Sequence, residues 1–304
     1  MDIFLAKDLE ISDFFCIFAR GMKIGVFDSG YGGLTILKQI RECLPEYDYL
    51  YVGDNARAPY GTRSFECIYH YTLEAVQYML SQGCALIILA CNTASAKALR
   101  TIQQHDLPRI NAKMVNDQMV NVLGVIRPTV EVVPTLTRTG HIGILATPAT
   151  VSSESYVLEL QKIAPALQIT QQACPMWVPL IEAGEHMNDG ADYFVDRYLS
   201  DIMRRDPEID TLVLGCTHYP LLLPKLLDYS RKSKVESRKT VRFVAQGELV
   251  AQSLADYLKR HPEYETQLTR GGNCLFLTTD DAQRFADAAT LFLGQRVQAE
   301  QVTY

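Results

Sequence analysis

Short apolar runs alternate along this chain with stretches whose apolar residues fall at helical spacing. Lys23-Ile24-Gly25-Val26-Phe27 is the first run, and it ends in Asp28-Ser29-Gly30. After Gly32-Gly33, Leu34, Ile36, Leu37 and Ile40 mark one helix face, closed by Pro45. Tyr47 to Gly53 reads as a second strand, followed by a polar loop from Asp54 to Gly61. Ser64 is placed to cap a helix running to Gln82, which Gly83 ends. Cys84 to Ala90 is a third unbroken apolar run, with a helix expected from Thr93 to His105. Strands that are apolar on both faces, alternating with helices, indicate parallel sheets covered on both sides.

A second set of elements follows. Strands are expected at Val120–Ile126, His141–Pro148, Gln168–Cys174 and Thr211–Gly215, with helices at Pro148–Leu160 and Ala191–Arg204. A further segment starts at Pro179 and runs to Glu185. His141-Ile142-Gly143-Ile144-Leu145 echoes Lys23-Ile24-Gly25-Val26-Phe27 at an offset of 118 residues. The run ending in Cys91 is echoed 125 residues later by the one ending in Cys216. Two echoes at nearly one offset point to two similar α/β units, diverged copies of one, with chance similarity between buried strands as the other reading. After Pro224 come a helix and a charged stretch, Ser230 to Lys239, expected as a surface loop. A strand (Val241–Ala245), a helix (Glu248–Arg260), a strand (Cys274–Thr278) and a helix (Ala282–Phe292) close the chain, and this tail is expected to complete the first unit. The fold class is therefore α/β, with two similar domains of parallel-type sheets flanked by helices. The expected division is an N-terminal extension at 1–21, a first domain at 22–116 with 239–304, and a second at 117–238.

Composition narrows the function without naming it. The 304 residues are 48% hydrophobic and 21% charged, ordinary for a globular protein. A net charge of −6 gives no basic footprint for nucleic acid or anionic membranes. No apolar run approaches the ~20 residues needed to span a bilayer. The front of the chain carries Asp2, Asp8, Glu10 and Asp13, unlike the basic start of a secretory signal, so a cytoplasmic protein is expected. Residues 1–21 read as an extension, either regulatory or dispensable with Met22 as the start. The eight cysteines form no CxxC pair and the six histidines no ligand spacing, so free thiols and no metal site are expected.

Two of those thiols stand apart. Cys43, Cys67 and Cys84 read as inert, buried cysteines. Cys91 and Cys216 each sit at a strand end before a helix start, among hydroxyl and amide side chains: Cys91-Asn92-Thr93-Ala94-Ser95 and Cys216-Thr217-His218-Tyr219. A helix N-terminus favours the thiolate. Ligands in parallel α/β sheets bind beyond the carboxyl ends of the strands, so these turns gather with Asp28-Ser29 and Tyr60-Gly61 on one rim. Two thiols in matched positions suit a symmetric task, in which one removes a proton from a carbon while the other delivers one to the opposite face. Asp28 and His218 are the acid–base neighbours of the two thiols, and Glu182 is a further carboxylate candidate. Asp28 as a plain N-cap, His218 as a turn histidine and Glu182 as a surface carboxylate remain open. Ser29, Asn92, Thr93 and Thr217 offer groups for a small zwitterion, and Tyr60-Gly61 offers backbone donors. The glycines at 30 to 33 let backbone N–H groups face an anion.

These stretches closely resemble the glutamate racemases, cofactor-independent amino-acid racemases. The matching segments are Gly25 to Thr35, Tyr51-Val52-Gly53-Asp54 with Pro59-Tyr60-Gly61, Ala90 to Ser95, Ile142 to Thr150, and Gly215 to Pro220. The resemblance implies that Cys91 and Cys216 are the acid/base pair, that Glu182 assists near Cys216, and that Asp28, Ser29, Tyr60, Gly61, Asn92, Thr93, Thr217 and His218 contact substrate. It implies a site in the cleft between two domains, no cofactor, a role in supplying D-glutamate for peptidoglycan, and a homodimer. The chain departs from the family's pattern in its extension, which in some members accompanies activation by a cell-wall precursor. It departs again at Ala245-Gln246, where the family often has an acidic residue and a hydroxyl. Other readings are a related racemase or one-thiol decarboxylase, a phosphatase loop (weakened by Lys97 in place of arginine), and a binding protein on a racemase scaffold.

Overall fold

The structure, a computed structural model, describes residues 21–112, 114, 119–237 and 241–304. The expected extension lies outside the described residues except for Gly21. Two parallel sheets organise the chain. The first comprises β1 (Lys23–Asp28), β2 (Tyr49–Gly53), β3 (Cys84–Leu89), β4 (Asn121–Gly124), β9 (Cys274–Thr278) and β10 (Ala299–Gln301), in the order β10-β9-β2-β1-β3-β4. The second comprises β5 (His141–Ala146), β6 (Gln168–Ala173), β7 (Thr211–Gly215) and β8 (Arg242–Val244), in the order β6-β5-β7-β8. Every residue of β2, β3 and β7 is buried, as strands covered on both faces require. Helix Phe65–Ser81 is typical of the covering layer. Ser64 Oγ accepts from Cys67 N–H at its start, and Ile68, Thr72, Ala75, Val76 and Met79 turn inward at helical spacing.

The internal echo survives as topology. The order β2-β1-β3-β4 in one sheet matches β6-β5-β7-β8 in the other. Gly25 stands opposite Ile87, and Gly143, 118 residues beyond Gly25, stands opposite Leu212, 125 residues beyond Ile87. The same two offsets therefore carry both the strands and their register. Cys91 and Cys216 end up at corresponding strand ends.

Several expectations are corrected. The charged stretch from Ser230 is not a loop as far as it is described, because helix Leu223–Ser237 continues into it. Leu226 and Ser230 are buried four residues apart and carry the helix forward, and Arg231, a good helix former, is exposed beside them. Sheet membership changes later than the expected changeovers at 117 and 239. β4 pairs with β3 in the first sheet, and β8 pairs with β7 in the second. The helix expected from Pro148 to Leu160 is two, Pro148–Ser152 and Ser155–Ile163, separated by Glu154 in the left-handed region at φ 54°. The stretch after Cys91 is likewise a series of short turns, beginning with helix Asn92–Lys97. Cys43 is exposed and Cys67 half-buried, so of the three thiols read as interior only Cys84 is. β9 and β10 return the tail to the first sheet. No helix among the described residues is long and apolar enough to cross a membrane.

Candidate active site

Both cysteine-bearing turns open onto one narrow cavity of about 80 Å³ between the two sheets. That is far below the ~300 Å³ or more of pockets for drug-sized ligands, and it suits a small molecule. Ser29, Tyr60, Gly61, Asn92, Thr93, Glu182, Thr217 and His218 line it together with Cys91 and Cys216. Asp28 sits behind this lining, 1% exposed. Thr147 also lines the cavity and was not singled out from the sequence. A signal existed, because the 118-residue offset that maps β1 onto β5 maps Ser29 onto Thr147.

On the first side, Cys91 is the N-cap of helix Asn92–Lys97. Its Sγ accepts from Ala94 N–H at 3.4 Å and lies 3.4 Å from Ser29 Oγ. Burial pushes the Cys91 thiol up to about 12, and the Asp28 carboxylate pushes the same way, while the contacts to Ser29 and Ala94 oppose them. β1 and β3 are neighbours in the sheet, which is what brings Asp28 beside Cys91. Asp28 Oδ1 accepts from Gly30 N–H at 2.9 Å. Burial raises its carboxyl above the ordinary value, against the pull of His218 and the N–H groups of Gly30 and Gly33. Gly33 must be glycine for this packing, since a Cβ there would lie 2.5 Å from Asp28 Cβ.

The second side is built differently. Cys216 Sγ lies 3.8 Å from His218 Nδ1, and His218 Nε2 lies 3.0 Å from Glu182 Oε1. Burial would strip His218 of its proton, but the bonds to Cys216 and Glu182 outweigh it and lift the imidazole to about 10. His218 is thus held between Cys216 Sγ and the Glu182 carboxylate, both of which favour its protonated form. Thr217 joins the two units across the site. Its Oγ1 donates to Asp28 Oδ2 at 3.4 Å, and its carbonyl accepts from Thr35 Oγ1 at 2.9 Å.

Two expected ligands turn partly away from the cavity. The Tyr60 hydroxyl donates to Asp54, whose carboxylate also takes Arg57 Nε at 2.7 Å and Thr279 Oγ1 at 2.9 Å. Only the backbone of the Tyr60-Gly61 turn is left to face a ligand. The Asn92 carboxamide accepts from Tyr156 OH and donates to Gln246 Oε1, each at 2.6 Å. Thr93 Oγ1 lies 3.0 Å from Thr147 Oγ1, another contact between the units. Tyr156 gave no sign in the sequence that it serves the site, because it reaches Asn92 from 64 residues along the chain, while Asp54 and Gln246 lay in stretches already singled out but with no role assigned at the site.

Known proteins share this fold. Residues 26–240 match the family described as Asp/Glu/Hydantoin racemase. The chain is 39% identical over 289 residues to a glutamate racemase of Ruegeria sp. (strain TM1040), covering 92% of this chain and 99% of that one. It is 36% identical over 274 residues to a glutamate racemase of Geobacter metallireducens, covering 90% and 93%. Among solved structures, glutamate racemase isoform RacE1 from Bacillus anthracis superimposes with a TM-score of 0.79 at 30% identity, covering 93% of this chain and 97% of that one. The glutamate racemase of Francisella tularensis, solved in complex with D-glutamate, superimposes with a TM-score of 0.78 at 31% identity, covering 93% and 98%. Over most of its length, then, the chain belongs to the Asp/Glu/hydantoin racemase family, among its glutamate racemases.

Proposed function

We propose that this chain interconverts L- and D-glutamate by exchanging a proton at the α carbon between two thiols, supplying D-glutamate for peptidoglycan. The observation that carries the reading is the pair Cys91 and Cys216, at corresponding ends of two repeated units and facing one cavity. In one direction a thiolate removes the Cα–H, and the electron pair stays on carbon as a carbanion. The opposite thiol then delivers its proton to the other face. The reverse direction exchanges the roles.

The surroundings suit each part. An imidazolium 3.8 Å from Cys216 Sγ stabilises negative charge there. A buried Cys91, raised to about 12, is a stronger base once ionised and so a better match for a weakly acidic Cα–H. Helix N–H groups and hydroxyls around the cavity hold the substrate carboxylates and exclude water from the carbanion. The reading needs no cofactor. We take each sheet with its helices as one domain, the first carrying Cys91 and the second Cys216, and we expect a cytoplasmic homodimer.

Incubating each enantiomer in heavy water with the wild type, Cys91→Ala and Cys216→Ala tests this. Each variant should lose racemisation by a factor of about 10² to 10⁴, as for loss of a positioned acid or base. A variant that interconverts the enantiomers at the wild-type rate sinks the two-thiol scheme.

A further inference from the structure

Gln246 lies at the start of helix Gly247–Arg260, just after β8, and is 2% exposed. It does not line the cavity, yet it is wired to a residue that does. Asn92 Nδ2 donates to Gln246 Oε1 at 2.6 Å, Gln246 Nε2 donates to Tyr156 OH at 2.8 Å, and Tyr156 OH donates to Asn92 Oδ1 at 2.6 Å. The three side chains close a ring in which each donates once and accepts once. The same Nε2 also reaches Thr129 Oγ1 at 2.8 Å and Val125 O at 3.2 Å. Thr129 Oγ1 gives its own proton to Val125 O, which leaves its lone pairs free to accept from Gln246. Tyr156 and Thr129 are fully buried.

We infer that Gln246 is a positioning residue that sets the Asn92 carboxamide, and through it substrate binding on the Cys91 side, by tying Asn92 to both crossings between the sheets. The first crossing leaves β4 through Val125 and Thr129, and the second enters at Gln246 itself after β8. Asn92 directly follows Cys91 as the first residue of the capped helix. The ring consumes one N–H and one lone pair of its carboxamide, so one of each remains to meet a ligand, in an orientation that Gln246 fixes. A buried ring of this kind is all-or-none, because removing one member leaves the other two with unpaired polar atoms.

The inference rests on the racemase reading, so wild-type turnover of glutamate is the reference arm. Its absence would refute that reading itself. With turnover present, Gln246→Ala should raise the KM for both enantiomers about tenfold with a smaller change in kcat, the size expected for loss of a buried hydrogen bond. In an Asn92→Ala background the same substitution should change KM by less than about twofold, since coupled residues are not additive. Tyr156→Phe, which removes only the ring's hydroxyl, should raise KM in the same sense, and it carries the test if Gln246→Ala does not fold. An unchanged KM in Gln246→Ala or Tyr156→Phe, or equal effects of Gln246→Ala with and without Asn92, would reduce Gln246 to a packing residue and overturn the inference.

Discussion

Replacing Glu182 by Gln keeps the shape of the side chain and its acceptor oxygen but removes the charge facing His218 Nε2 at 3.0 Å. Two unit charges 4 Å apart interact by about 4 kcal/mol at an effective dielectric of ~20. The Glu182 side chain is 28% exposed, so water takes much of this. A charged hydrogen bond exceeds a neutral one by about 1 to 1.5 kcal/mol, which corresponds to roughly one pKa unit on His218. His218 should therefore fall from about 10 to roughly 9. The folded value lies above the unfolded one of 6.5, so the stabilisation from this proton is fully present below pH 6.5 and is lost as the pH rises through 10. The variant should be about 1.4 kcal/mol less stable than the wild type at pH 6, and the gap should shrink by about 1 kcal/mol by pH 10, where the wild-type imidazole is half deprotonated. Denaturant titrations at pH 6, 8 and 10 measure the gap, and the imidazole resonance of His218 reads the pKa directly. A gap of the same size at pH 6 and 10, or a His218 titration unmoved in the variant, would refute the assigned role of Glu182.

Three other substitutions probe the rest of the site. Asp28→Asn should lower kcat while raising the melting temperature at pH 7. Burial lifts the folded pKa of Asp28 above the unfolded one, so ionisation costs stability as the pH rises, and the amide removes that cost; a variant less stable at pH 7 than at pH 4, relative to wild type, would contradict this. Ser29→Ala should slow alkylation of Cys91 by iodoacetamide, followed by mass spectrometry of its peptide, because the Ser29 contact opposes the rise of the thiol; equal or faster labelling would count against it. Gly32→Ala should abolish turnover, since its Cβ would collide with Thr217 Oγ1 and the His218 ring; wild-type kcat/KM in that variant would show the second turn to be freer than the structure makes it.

The apolar strand runs, the cap at Ser64 and the two offsets were legible in the sequence because each is local. A buried parallel strand must be apolar throughout, a cap must sit one residue before its helix, and a duplicated unit must repeat its spacing. The charged stretch from Ser230 misled because charge marks an exposed face and does not by itself break a helix. Sheet membership of β4 and β8 was equally unreadable, since a short strand carries no label for the sheet that will accept it.

By itself the sequence placed two matched thiols at the ends of apolar strands in two similar α/β units, with Asp28 and His218 as candidate neighbours. The tertiary structure alone decided that they share one cavity. It also decided which polar groups are free to meet a ligand: the Tyr60 hydroxyl is committed to Asp54, and half of the Asn92 carboxamide's capacity is committed to Tyr156 and Gln246. The reason is physical. Residue type and spacing follow from bonds along the chain, whereas a hydrogen-bond partner 154 residues away is chosen only when folding removes water and leaves that partner within reach.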